Sequence, residues 1–218
     1  YNEPIKADVE KIAISDLDAY WIKPTKTSSN KVMLFFHGGG FTLGSTQDHL
    51  GLLTTIANNS EIQVLSLDYR LAPEHPFPAA HHNSLTAYQY LLDNDYKARD
   101  IIVCGMTAGA NLALSLLIAL KQQQSTMPIA AVLLCLPPRL DFEHNANRYL
   151  QQPDWIQYER ALQISKTYAP NMNLQNPLLS PYFANLSGLP DCLIQIGSNE
   201  ITYQDAIDFK RAATNAGV

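Results

Sequence analysis

Apolar and polar positions alternate along the chain in two periods. Val9–Ile14 and Leu17–Ile22 read as short strands joined by the turn-type pair Ser15-Asp16. Lys31–His37 (KVMLFFH) is a continuous apolar run, the mark of a strand buried on both faces. Asp48–Asn58 places Leu50, Leu52, Leu53 and Ile56 on one stripe and predicts a helix; Glu61–Asp68 predicts a strand. Pro73, Pro76 and Pro78 mark a rigid loop before an amphipathic helix over Ala79–Leu92. The same reading gives strand Ile101–Cys104, helix Ala108–Lys121, strand Ile129–Cys135, a helix near Trp155–Tyr168, strand Cys192–Gly197 and helix Tyr203–Gly217. Strands separated by helices imply βαβ units, right-handed crossovers and an α/β fold with a mostly parallel sheet. No repeat, low-complexity tract or charged linker divides the sequence. Residues 1–218 are therefore expected to form one domain, with room for a cap-like excursion in 136–185.

Composition narrows the function classes. Of 218 residues 46% are hydrophobic and 16% charged, enough apolar material for a sizeable core and contrary to disorder. A net charge of −5 without any basic run argues against a nucleic-acid partner. The longest apolar stretch, Leu112–Leu120, is far short of the roughly 20 residues a membrane span needs. Cys104, Cys135 and Cys192 each lie in or beside a strand-like run, which fits buried thiols in a reducing, cytoplasmic interior. None has a partner at metal-ligand spacing, and no G-x-G-x-x-G, GK[ST] or H-E-x-x-H pattern occurs, so neither metal nor nucleotide is expected.

In parallel α/β sheets, active groups gather at the carboxyl ends of the strands. Three clusters fall there. His37-Gly38-Gly39-Gly40-Phe41 follows a buried strand; backbone N–H groups of such glycines, aimed at one point, make an oxyanion hole, although a plain flexible turn would use the same residues. Gly105-Met106-Thr107-Ala108-Gly109 lies between a strand and a helix, the context of the nucleophile elbow G-x-S-x-G, with threonine at its centre. Gly197-Ser198-Asn199-Glu200 ends the last strand; Glu200 could orient a histidine, or the segment could simply cap the next helix. Asp141 and Glu143 could be imagined as an acid pair, but a solvated loop is the simpler expectation. Trp21 and Trp155 read as packing residues, Trp155 with the further option of lining a pocket.

These motifs, together with Asp68-Tyr69-Arg70-Leu71-Ala72-Pro73-Glu74-His75-Pro76-Phe77-Pro78 and the later LSGLPDCLIQIGSNE, resemble the hormone-sensitive lipase family of α/β-hydrolases over nearly the whole sequence. The resemblance implies an α/β-hydrolase fold and cofactor-independent hydrolysis of a small, short-chain ester through an acyl-enzyme. It places Thr107 at the nucleophile's position and the N–H groups of Gly39, Gly40 and Ala108 in the oxyanion hole, with His37 and Gly38 shaping it. Glu200 takes the acid's position, and the proline-rich segment a structural brace's. It implies nothing about oligomeric state.

Two departures from the family pattern qualify that expectation. An elbow residue is held at positive φ, which a β-branched threonine tolerates badly, so acyl transfer is expected to be impaired. The family's catalytic histidine follows the acid by a further strand and loop, and the sequence reaches Val218 before such a strand. The last strand and helix and most of the N-terminal cap are thus expected to be lacking. His49, His75, His81, His82 and His144 are poor substitutes: His49 opens a helix, His81 and His82 look solvated or capping, and His144 lies in the excursion. The alternative is a non-catalytic relative that keeps the pocket to bind an ester, a carboxylate or a protein partner.

Overall fold

In the computed structural model, which describes residues 7–142, 149 and 154–218, the seven predicted strands form one sheet. β1 (Asp8–Ile14) and β2 (Leu17–Lys23) make an antiparallel hairpin, and β2 lies antiparallel to β4 (Gln63–Leu67). Beyond them β4, β3 (Val32–Phe36), β5 (Ile101–Met106), β6 (Ala130–Leu134) and β7 (Asp191–Gln195) run parallel, giving the order β1-β2-β4-β3-β5-β6-β7.

The helices are α1 (Thr46–Ser60), α2 (Ala79–Asp93), α3 (Ala108–Gln122), α4 (Tyr158–Tyr168) and α5 (Tyr203–Asn215). Val32, Leu34 and Phe36 of β3 belong to the larger core, shared with residues of α2, α3 and α5. Met33 and Phe35 point the other way, toward Leu53 and Ala57 of α1. Both faces of β3 are therefore covered, which is why its sequence is apolar at every position. α3 goes further: every residue from Ala108 to Leu120 is buried, as expected of a helix without a polar stripe. On β7, Cys192 and Ile194 pack into the larger core, whereas Leu193 on the opposite face is 63% exposed.

The polar residues buried with α3 are all satisfied. Asn111 Nδ2 donates to the carbonyls of Pro137 and Leu179 at 2.9 and 3.0 Å. Ser115 Oγ donates to Leu178 O and accepts from His81 Nδ1, each at 2.8 Å. This corrects the expectation for His81, which is 4% exposed, while its neighbour His82 is exposed. Each residue along a helix turns by about 100°, so a pair of consecutive histidines splits between core and solvent.

Burial lowers the His81 pKa to about 4, and also lowers that of His37. A depressed folded-state pKa in a base means that the unfolded chain takes up the proton first. Stability is therefore full above about pH 6.5 and falls as the pH drops toward 4. Urea unfolding at pH 7 and pH 4.5 should show a His81 contribution on the order of 2 kcal/mol to that loss. The contribution should disappear in His81→Gln; an unchanged pH slope in that variant would refute it.

Candidate active site

The carboxyl ends of β3, β5, β6 and β7 deliver the sequence-predicted groups to one edge of the sheet. After β3 the chain makes a tight loop in which Gly39 O accepts the N–H groups of Thr42 and Leu43 at 3.2 and 3.1 Å. Gly39 has φ +124°, and a Cβ there would stand 1.9 Å from Leu43 O, so no other residue fits. The carbonyls before it are held as well. His37 O accepts the Tyr69 hydroxyl at 2.8 Å, and the buried His37 ring stacks on Tyr69 with centroids 4.2 Å apart. Its Nδ1–H donates to Gly38 O at 2.7 Å, and burial lowers its pKa, favouring the uncharged ring. Ala72 N–H donates to Phe41 O at 2.9 Å. The proline-rich segment thus braces the loop by direct hydrogen bonds.

β5 ends in the turn carrying Thr107, which adopts φ 48° and ψ −113°. Its N–H donates to Leu134 O at 2.8 Å, and its carbonyl accepts from Ala110 and Asn111. The turn is possible because its glycines tolerate close approach: a Cβ on Gly105 would meet Gly109 O at 2.1 Å, and one on Gly109 would meet Phe36 O at 2.0 Å. A Cβ on Gly38 would lie 2.6 Å from Thr107 Oγ1, so the hydroxyl stands directly against the glycine loop. Ala108 is the first residue of α3, where backbone N–H groups and the helix dipole favour negative charge. No described residue accepts a hydrogen bond from the N–H of Gly39, Gly40 or Ala108.

β6 and β7 complete the edge. Cys135, just past β6, donates its N–H to Gln195 O at 2.7 Å, continuing the ladder beyond Leu134. Glu200 folds back on its own turn: Oε1 accepts Gly197 N–H at 2.7 Å and its N–H donates to Gly197 O at 3.0 Å. Burial first, then the nearby Glu200 carboxylate, pushes the Cys135 thiol pKa up to about 12. Asp205, five residues on, is buried in the first turn of α5.

Part of the 136–185 segment reaches the same place. A Cβ on Gly40 would meet Ile164 Cγ2 of α4 at 3.0 Å. Tyr168 stacks on Phe41 at 3.8 Å, and its carbonyl accepts Phe77 N–H at 2.7 Å. Asp154 Oδ2 accepts the N–H of Ile201 at 2.7 Å, tying this segment to the residue after Glu200. Trp155 does not pack, being 88% exposed, whereas Trp21 stacks on Tyr96. The expectation for Asp141 is also overturned: it is buried and receives Arg139 through Nε and NH2 at 2.5 and 2.7 Å. The Arg139 guanidinium lies over the Tyr182 and Phe183 rings at 4.9 and 5.0 Å. Two opposite charges two residues apart neutralise each other and can enter the core as a unit. Glu143 and His144 lie outside the described residues. His75 and His82 are exposed, and among the described residues no histidine bonds to Glu200.

Known proteins resemble this chain in sequence and fold. Residues 33–218 match the sequence model of the alpha/beta hydrolase fold family. The chain is 38% identical over 195 residues to an esterase of Acinetobacter venetianus, covering 88% of this chain and 64% of that protein. It is 33% identical to an acetyl-hydrolase of Streptomyces hygroscopicus, covering 94% of this chain and 69% of that one. A crystal structure of an esterase from the bacterial hormone-sensitive lipase family superposes with a TM-score of 0.90 at 34% identity, over 97% of this chain and 72% of the other.

The chain belongs to the hormone-sensitive lipase family of α/β-hydrolases. It spans 64% of the length of the Acinetobacter esterase. No described helix is long and apolar enough to cross a membrane. Sequence reasoning placed His49 at the start of a helix but missed its contact with the glycine loop. Its Nε2 accepts the N–H of Gly38 at 3.3 Å, and its Nδ1 donates to Ser45 O at 2.9 Å. One signal was available: a helix that follows a parallel strand begins at the strand's carboxyl end, so its first turn borders the site.

Proposed function

We propose that this chain carries the nucleophile and oxyanion-hole machinery of a carboxylic ester hydrolase acting on short-chain acyl esters. The observation that carries the reading is the Thr107 hydroxyl held against the Gly38–Gly40 loop, beside three backbone N–H groups that bond to no described residue. In this reading Thr107 Oγ1 attacks the acyl carbon. The carbonyl oxygen, as it gains charge, is stabilised by the N–H groups of Gly39, Gly40 and Ala108, which need no reorganisation. The C–O bond to the alcohol then breaks, and the hydroxyl proton leaves with the alcohol through a base that Glu200 would orient. Water releases the acid and restores the hydroxyl. No step calls for a cofactor. The names of the relatives, esterase and acetyl-hydrolase, support a small acyl group. Ile164 against Gly40 supports a substrate bound under α4.

A second reading, a non-catalytic relative that binds an ester or carboxylate, is favoured by one observation: the nucleophile's position holds a β-branched residue at positive φ. Incubation with a p-nitrophenyl alkylphosphonate, followed by peptide mass analysis, separates the two. The hydrolase reading expects a phosphonyl adduct on Thr107 of the folded protein. Saturable protection of the site by a short carboxylate without any adduct would leave only the binding reading.

A further inference from the structure

We infer that His49 is a positioning residue for the oxyanion loop, acting by accepting the Gly38 amide so that the next two amides face the substrate. This rests on the hydrolase reading for its role in catalysis, but the interaction itself can be tested without turnover.

The argument begins with α1. Asp68 Oδ1, just past β4, accepts both the N–H and the hydroxyl of Thr46 at 2.7 Å, which anchors the first turn of α1 beside the carboxyl end of β3. His49 lies in that turn, with its ring 5.9 Å from Phe35 and 6.0 Å from His37. A backbone carbonyl can only accept, so the Nδ1 contact to Ser45 O requires the proton on Nδ1. In the neutral ring Nε2 is then an acceptor, and it meets Gly38 N–H. A Cβ on Gly38 would lie 3.5 Å from this Nε2 and 2.6 Å from Thr107 Oγ1, so ring and hydroxyl flank the same glycine.

The consequence follows from peptide geometry. With His37 O, Gly38 N, Gly38 O and Gly39 O all engaged, the peptide planes on either side of Gly38 are fixed. Glycines at positive φ have no side chain to restrain them, so the restraint must come from such contacts. Of the four, the bond to His49 is the one made by α1, and it ties the loop to the helix rather than to itself. The N–H groups of Gly39 and Gly40 are thereby aimed in advance.

Glutamine and phenylalanine at position 49 separate hydrogen bonding from packing. The Gln Oε1 can take the place of Nε2; phenylalanine fills the ring volume without an acceptor. In a 15N-labelled sample, His49→Gln should keep the amide shifts of Gly38, Gly39 and Gly40 near those of the parent. His49→Phe should move all three and speed exchange of the Gly38 N–H at least tenfold. Phosphonate labelling of Thr107 should slow about tenfold in His49→Phe and recover in His49→Gln. A His49→Phe loop indistinguishable from the parent would overturn the inference, as would a His49→Gln loop disturbed as much as His49→Phe. If no variant, nor the parent, is labelled at all, the hydrolase reading fails while the amide data still decide the role of His49.

Discussion

Thr107→Ser is expected to raise the rate of covalent phosphonate labelling, and of p-nitrophenyl ester turnover, by roughly 10³. The backbone at this residue sits at φ 48° and ψ −113°, outside the ordinary basins of an L-residue. Strain of this kind is worth about 1–3 kcal/mol and persists because the surroundings over-determine it. Here they do: the Thr107 N–H is tied to Leu134, its carbonyl to Ala110 and Asn111, and the neighbouring glycines are pressed against backbone on both sides. The turn cannot relax to suit a β-branched side chain, so the side chain must. In the hydrolase reading the Thr107 methyl adds bulk next to the hydroxyl that would meet the acyl group, and a secondary hydroxyl attacks more slowly than a primary one. Serine removes both obstacles without altering the turn. Equal labelling rates for parent and variant would count against Thr107 as the elbow residue.

Gly109→Ala should have the largest effect on the fold. A Cβ at this position would stand 2.0 Å from Phe36 O and 2.6 Å from His37 O, both backbone atoms at the end of the central strand. Neither can move without parting β3 from β5 or lifting α3 from the sheet, and α3 is buried from Ala108 to Leu120. Losses above about 4 kcal/mol are exceptional for one substitution and require a named mechanism of this kind. The expected outcome is a variant that fails to accumulate in soluble form, or whose urea midpoint falls by most of the parent's stability. A contrasting variant, Gly51→Ala, meets nothing within 4 Å and lies inside α1, so it should be neutral to slightly stabilising. If the two behaved alike, close packing of α3 on β3 would not be what the elbow glycine serves.

Much of the site was legible because it is written in local rules. HGGGF and GMTAG depend on residues that a single turn requires, and both follow runs whose apolarity marks them as buried strands. What local rules misread or left unread follows from contacts outside any local window. His81 and His49 have partners remote in sequence: Ser115 lies 34 residues from His81, and Gly38 lies 11 from His49, whose place at the start of a helix was read correctly. Asp141 looked solvated because its partner's charge, two residues away, says nothing about whether the pair faces water or the Tyr182 and Phe183 rings.

By itself the sequence determined the α/β class, the seven strands, the order of helices between them, and the three loops that could carry chemistry. Periodicity and turn chemistry act within a few residues, and each element there is specified by its own side chains. Only the tertiary structure decided which loops meet, that Thr107 Oγ1 stands against Gly38, that Glu200 comes near Cys135, and that Ile164 of α4 lies against Gly40. Those juxtapositions follow from how β3, β5, β6 and β7 are ordered in the sheet. Strand order is set by long-range burial of both faces at once, a quantity that no window of the sequence contains.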